Sequence, residues 1–555
     1  MKARMCLTIA VAVALLVLLS GVAFAAGQSE GEGTAPGSVA GDPYNPLEPY
    51  DPPITLSRGL SEADRTFPPG QSWDDNVWTR AWSERLGIDI VNKWAVPSNE
   101  YESKLNVAIA SGDLPDVIQA PYDIFYRLAE GGQLEDLSQA YENANDPLFK
   151  SEWERDGGLA KEMLSVDGSL YGVGSTVSPG PIIFLAYRND WADAVGADSP
   201  ETFEDVIDMM YAFAEDDPNG DGSKTYGLAL AEGLWATTSH LGGFFAAYDA
   251  HPQIWIEKDG RIEYGGIQPE AREALLSLQQ LFADEVLDPE FALKSPWVEL
   301  VDDVTNGKVG LSFGIYWWTD YAGVRNLIEA EGSEATWTMM RVPAIGGGVA
   351  EPQAQTRIGS TLSMRRGVGY PEAIIKLFDF QASMNNIAER MEPEFNYMPG
   401  ADGTPIRTVF YNFLGINVGF GEIDQGMRIA DAVRTNDRES LPEADYEIYD
   451  SVLDYEENGT VENYGIWGKY GPESGSVLAF EIMSDGDYTP NAYYGPNTDT
   501  MNRLMGNITG KMNEVYTRII MGAPIEEFDE WVDFFNEQGG AEITEEVNAW
   551  AAARD

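Results

Sequence analysis

The chain is poor in the residues most enzymes rely on. Its 555 residues include one cysteine, Cys6, and two histidines, His240 and His251. One thiol excludes a disulfide within the chain, and the remainder has no Cys to act as a nucleophile. No H-E-x-x-H or P-loop pattern occurs, so zinc-protease and nucleotide-phosphate chemistry lack their usual carriers. Basic residues are scarce too: 35 Lys and Arg stand against 91 Asp and Glu, a formal net charge of −56. That balance excludes a general nucleic-acid or anionic-membrane binder, which needs a basic face. The acids run through the whole chain, which reads as a solvated acidic surface. In a salty medium, screening confines its self-repulsion to about 3–8 Å.

What is present points to an exported globular protein. The composition is 44% hydrophobic and 11% aromatic, and the length exceeds one core, so two or more domains are expected. Lys2 and Arg4 precede an apolar run from Leu7 to Leu19, and Ala23-Phe24-Ala25 follows it. Residues 1–26 thus read as a secretory signal peptide, too short to span a membrane. A lipid anchor needs a Cys at the cleavage point, whereas Cys6 lies ahead of the run. The expectation is a periplasmic or secreted protein without an anchor. Residues 27–53, rich in Gly, Pro and acids, read as a flexible linker.

Strands and helices then alternate, which implies an α/β sheet. Ile54–Arg58 and Ile88–Val91 read as strands, and residues 101–112 as an amphipathic helix closed by Gly112. Gly307–Asp320 is the most informative stretch. Val309, Leu311 and Phe313 alternate as in a half-buried strand, Gly314 frees the backbone, and Tyr316, Trp317 and Trp318 follow. Three successive rings cannot all point one way, so one belongs to the core and another to a cleft beyond the strand end.

A family resemblance rests on motifs in series. Asp113-Leu114-Pro115-Asp116-Val117, after Ala110-Ser111-Gly112, resembles the "A-x-G-x-x-PD-V" signature of bacterial extracellular solute-binding proteins, the sugar receptors of carbohydrate ABC importers. Gly131 to Leu137 resembles its "G-x-L-x-D-L", Asp167 to Val173 its "DGKLYGVP", and Tyr187 to Trp191 its "YRKDW". Pro200 to Asp205 is similar to its "P-x-T-x-E-E", and Gly307 to Trp317 to the element whose Trp stacks on sugar. The helical C-terminus from Thr517 to Trp550 resembles the larger, oligosaccharide- or polysaccharide-linked branch. No motif covers 400–490.

The resemblance implies an α/β periplasmic-binding-protein fold with two discontinuous lobes, an interlobe cleft and crossing hinge strands. Lobe 1 would hold 54–176 plus about 355–400, and lobe 2 177–350 plus about 400–555. The crossings would lie at 171–181 and 346–359. It also implies a monomer that binds a carbohydrate and delivers it to ABC permease subunits. Sugar C–H faces stack on aromatic rings and hydroxyls pair with planar polar groups. The substrate-binding candidates are therefore Trp317, Trp318, Tyr187, Arg188, Trp73, Asn76, Tyr122, Asp123 and Trp235, with Trp317 foremost. No catalytic residue is expected. A secreted glycoside hydrolase or lyase is the alternative, though so many acids furnish carboxylate pairs by chance.

No cofactor is required, but a structural calcium site is open. Asp217-Pro218-Asn219-Gly220-Asp221-Gly222 satisfies the first six positions of a calcium loop, with Asp217, Asn219, Asp221 and Ser223 as ligands. Position twelve is Leu228 rather than a bidentate Glu, so a Pro/Gly/Asn turn reads equally well. The branch it resembles often carries such a loop.

Overall fold

The computed structural model describes residues 42–331, 335–401, 403, 405–412 and 418–554. The expected signal peptide and residues 27–41 of the expected linker lie outside the described residues.

Two sheets divide the chain. The first sheet takes β1 (Ile54–Glu62), β2 (Ile88–Pro97), β3 (Val117–Pro121), β4 (Gly172–Gly174) and β8 (Ser360–Met364) in the order β2-β1-β3-β8-β4. β1 runs parallel to β2 and β3, whereas β8 is antiparallel to β3 and β4. Helices α1 (Val77–Leu86), α2 (Tyr101–Ser111) and α3 (Tyr122–Glu130) connect its strands. As the sequence predicts, α2 ends on Gly112, whose left-handed φ of 69° closes the last turn. The second sheet is antiparallel, in the order β6-β5-β7, built from β5 (Phe184–Arg188), β6 (Leu311–Gly314) and β7 (Trp337–Met340). Helices α4 (Phe203–Glu215) and α5 (Pro269–Ala283) pack beside it.

Each sheet anchors its own core, which is the two-lobe arrangement. The first core draws residues from 54–177 and 358–418, and the second from 183–350 and 493–547. The first thus reaches Val418, beyond the break expected near 400. Helix α6 (Pro371–Asn385) is buried along nearly its whole length through the first core. The stretch without motifs is a hairpin, β9 (Tyr397–Pro399) with β10 (Pro405–Arg407), followed by four helices. These are α7 (Glu422–Thr435), α8 (Tyr446–Asn458), α9 (Tyr464–Tyr470) and α10 (Gly475–Asp485); they bury a small core around Ile429 and Tyr449, and Ile482 packs with Ile182, Phe184 and Ala354. Helices α11 (Asp499–Ile520), α12 (Glu527–Phe535) and α13 (Ala541–Ala552) complete the second core.

Three segments, not two, meet where the lobes join. The Gln355 N–H donates to the Gly180 carbonyl (2.9 Å), and the Asn491 N–H to the Ala354 carbonyl (2.8 Å). Gln353–Ala354 pairs in parallel with Thr489–Pro490. The Gly346-Gly347-Gly348 run, expected to open the second crossing, is instead a turn in lobe 2, where the Ala344 N–H donates to the Gly348 carbonyl (3.0 Å).

The linker expectation also needs correction for residues 42–53. Tyr44 and Tyr50 pack against the first core, and the Tyr44 hydroxyl donates to the Ala140 carbonyl (3.0 Å). Lys376, only 4% exposed on α6, donates its ammonium to the carbonyls of Asn45, Pro46 and Glu48. Aromatic burial and this cationic clasp hold a segment whose composition alone suggests a tether.

Candidate functional site

A cavity of about 480 Å³ opens where the crossing after β4 meets the ends of α6 and β6 and the start of α7. Ser175, Thr176 and Ser178 line it from the crossing, and Gln381, Asn385 and Asn386 from the last turn of α6. The β9–β10 hairpin adds Tyr397 and Arg407, Phe410 and Asn412 follow from the next loop, and α7 adds Glu422, Gln425 and Arg428. Both lobes contribute, because Tyr316 reaches it from just beyond β6 of the second sheet.

Charges around Tyr316 are interlocked. Its hydroxyl donates to Glu422 Oε2 (2.8 Å), to which Lys469 Nζ also donates (3.0 Å), while Arg407 Nη2 donates to Oε1 (2.9 Å). Burial alone would raise the Glu422 carboxyl, but Lys469 and Arg407 outweigh it and hold the group at about 2. Glu422 also lies in the first turn of α7, where a helix N-terminus favours an anion. Burial first, and then the Glu422 charge, push the Tyr316 phenol well above its ordinary value. Arg428 donates Nε and Nη2 to Asp445 Oδ2 (3.3 and 2.9 Å), and Gln425 donates to Oδ1 (2.7 Å). Arg407 lies against two rings, 4.7 Å from Phe410 and 5.9 Å from Tyr397. At the rim, Gly419 holds a φ of +62°, and a Cβ there would sit 2.7 Å from Asp424 Oδ2. Aromatic rings, amides and guanidinium groups around one cavity are the set that carbohydrate recognition uses.

None of the nine candidates read from the sequence lines this cavity. The three successive rings do part ways, but not as expected. Trp318 is fully buried, stacked on Tyr321 at 5.2 Å and meeting Trp337 edge-on at 5.3 Å. Trp317 is half-buried beneath the exposed Trp297, with centroids 6.2 Å apart. Tyr316 is the ring that enters the cavity.

Several other candidates are structural. Asn76 is fully buried as the N-cap of α1: its Oδ1 accepts from the Trp78 and Thr79 N–H groups, and its Nδ2 donates to the Ser72 and Trp73 carbonyls. Arg188 is buried, paired with Asp190 and laid over the Trp191 ring. Tyr187 sits in the second core on β5. Trp73 packs edge-on to Phe67 (5.3 Å), and Trp235 packs by Phe245 and donates to Asn513 Oδ1 (2.8 Å). Tyr122 stacks on Phe125 at the start of α3, with the half-buried Asp123 beside it. The family motifs prove equally structural. Asp116 of the "PDV" element accepts from Ser57 on β1 and from Arg365 after β8, tying the first sheet together.

The loop from Asp217 to Ser223 bends as a metal loop must. Gly220 and Gly222 are left-handed, and the Gly222 N–H donates to the Asp217 carboxylate (3.0 Å). Asp221 accepts from the Ser223 N–H (2.8 Å). Asn219 Oδ1, however, accepts from Trp191 Nε1 (2.9 Å), and Leu228 is core. Among the described residues, no three His, Cys, Asp or Glu side chains are grouped to hold a metal ion. The residues present therefore fit at most a sparse site of two carboxylates and one shared amide oxygen.

Comparison with known proteins follows the same lines. Residues 66–386 match the family described as bacterial extracellular solute-binding protein. Lipoprotein LipO of Bacillus subtilis is 28% identical over 248 residues, covering 43% of this chain and 46% of that protein. The polygalacturonan/rhamnogalacturonan-binding protein YtcQ of the same organism is 25% identical over 231 residues, covering 40% and 43%. The match thus spans a little under half the length of these curated relatives. Among solved structures, the Streptococcus pneumoniae ABC-transporter substrate-binding protein FusA in complex with kestose superposes with a TM-score of 0.58. It is 15% identical, covering 90% of this chain and 100% of that one. At that identity the likeness establishes the two-lobe fold.

Proposed function

Because this chain belongs to the bacterial extracellular solute-binding protein family, we propose that it captures an oligosaccharide between its lobes and delivers it to the membrane subunits of an ABC importer. The observation that carries this reading is the interlobe cavity, where Tyr316, Tyr397 and Phe410 stand among Asn and Gln amides. Names of relatives point the same way, YtcQ to polygalacturonan and rhamnogalacturonan and FusA to kestose. Residues 1–26, read from the sequence as a secretory signal peptide, would carry the chain across the cytoplasmic membrane. Among the described residues no helix is long and apolar enough to cross a membrane.

The joint suggests how capture is signalled. Lobes connected by a few bonded segments close by bending there, and closure over the glycan would present the importer with a distinct surface. Titration calorimetry against fructo-oligosaccharides, oligogalacturonates and oligoalginates is expected to find one class that binds without turnover. X-ray scattering at saturation should then show a smaller radius of gyration. Product release in the calorimeter cell would overturn the receptor reading, and an unchanged radius would overturn closure.

Calcium at Asp217, Asn219, Asp221 and the Ser223 carbonyl belongs to the same proposal, as a weak structural site. Calcium prefers 6–8 oxygens, and the missing bidentate acid removes two. Binding to the folded state alone raises the melting temperature with metal concentration. A rise of a few degrees is expected between chelator and millimolar calcium; identical melting curves would leave a simple turn.

A further inference from the structure

The charge balance of the cavity runs against that of the protein. The chain as a whole carries −56, yet the charged side chains lining the cavity are Arg407, Arg428 and Glu422. The groups paired with these are Lys469 and Asp445. Three cations thus face two carboxylates, while Asp320, also near Lys469 and Arg407, is offset by its own pairing with Arg325. Both carboxylates are fully engaged. Glu422 accepts from Arg407, Tyr316 and Lys469, and Asp445, wholly buried, accepts from Arg428 and Gln425. The cations are not. Among the described residues, Arg407 donates only through Nη2, and Arg428 only through Nε and Nη2. Among the described residues, no acceptor stands at Arg407 Nη1 or Nε or at Arg428 Nη1.

We propose that the cavity selects an anionic glycan, an oligosaccharide of uronic acids whose carboxylate pairs with the unengaged edges of Arg407 and Arg428. This deepens the sugar-binding reading and rests on it. The Arg407 guanidinium lies 4.7 Å from the Phe410 ring and 5.9 Å from the Tyr397 ring, and a planar fork of N–H donors suits a planar carboxylate. Neutral hydroxyls would pair with the same edges but leave the surplus positive charge uncompensated in a partly desolvated site. One surplus charge matches the single charge of a uronate carboxylate better than the nearly doubly charged phosphate monoester. The acidic exterior adds selectivity: it repels anions generally, so an anion that binds must do so through specific contacts.

The test compares each acid with its own neutral form. Oligogalacturonate and oligoalginate are titrated alongside their carboxyl-reduced counterparts, a neutral fructo-oligosaccharide and a sugar phosphate. One uronate is expected to bind at least about tenfold tighter than its reduced counterpart, the discrimination typical of a site built for a hydrogen-bonding group. Salt should weaken it while leaving neutral sugars unaffected. Arg407→Gln should shrink the preference to about threefold or less, measured where its urea transition, lowered by the lost pairing with Glu422, shows it still folded, and Arg407→Lys, which keeps charge but loses the fork, should fall between. A neutral glycan that binds as well as any uronate overturns the inference but leaves the receptor reading intact. A sugar phosphate that binds tightest overturns the carboxylate assignment. An Arg407→Gln variant that keeps the full preference removes Arg407 from the site. No heat from any member of the panel defeats the sugar-binding reading itself.

Discussion

Trp318→Ala is expected to lose about 3–5 kcal/mol of folding stability, the range for deleting a large buried ring. Trp318 is fully buried against Tyr321 and Trp337, and collapse cannot fill the volume it leaves without moving both. Trp317→Ala should cost roughly 1–2 kcal/mol, since its ring is half-exposed and its partner Trp297 is 57% exposed. Glycan binding should sort the three rings differently. Tyr316→Ala, which removes the ring inside the cavity, should weaken binding by roughly 2–4 kcal/mol, the size of an interface hot spot. Urea unfolding and calorimetry on all three variants separate the roles. If Trp317→Ala proves the one that abolishes binding, the site extends to the Trp297–Trp317 pair and is not centred on the cavity around Tyr316.

Glu422→Gln should be the most disruptive single change to the charge network. The carboxylate balances Lys469 and Arg407 and accepts the Tyr316 hydroxyl, and breaking a partly buried network by removing one partner strands the others. A pKa held at about 2, against an ordinary 4.5, corresponds to roughly 3 kcal/mol favouring the charged form. The sign follows from linkage. A folded-state pKa below the unfolded one means stability that is complete above pH 4.5 and lost as pH falls toward 2. The wild-type protein should therefore lose stability between about pH 4.5 and 2 in chemical denaturation, and Glu422→Gln should flatten that part of the profile while lowering the plateau. A variant with the wild-type plateau would mean that Lys469 and Arg407 find other partners.

The architecture was legible because its signals are repetitive. Alternating strands and helices, a Gly cap at Gly112 and motifs in serial order each point to the same two-lobe chain. The cavity was not, and the reason is physical. Family motifs mark where strands and helices must lock, so Asp116, Arg188 and Trp191 turn out to be fasteners. The Asn76 side chain suits a sugar hydroxyl and a helix N-cap equally well, and only the fold shows that the cap took it. The cavity is lined largely from 381–428, a stretch whose Asn, Tyr and Arg residues carry no period and no motif. Sequence did narrow the search at one point: the ring that enters the cavity is the neighbour of the one favoured.

The three bonded segments at the join have a consequence for affinity. A ribbon held by Gly180–Gln355 and Ala354–Asn491 hydrogen bonds resists sliding and twisting, and its soft coordinate is bending across the strands. If closure follows that single coordinate, the measured dissociation constant is the intrinsic one divided by the fraction of molecules already bent. Residues far from any sugar then tune how tightly sugar is held. Evolution could retune a receptor for scarcer or richer supplies by stiffening this ribbon, without altering a side chain in the cavity and hence without changing which glycan is chosen.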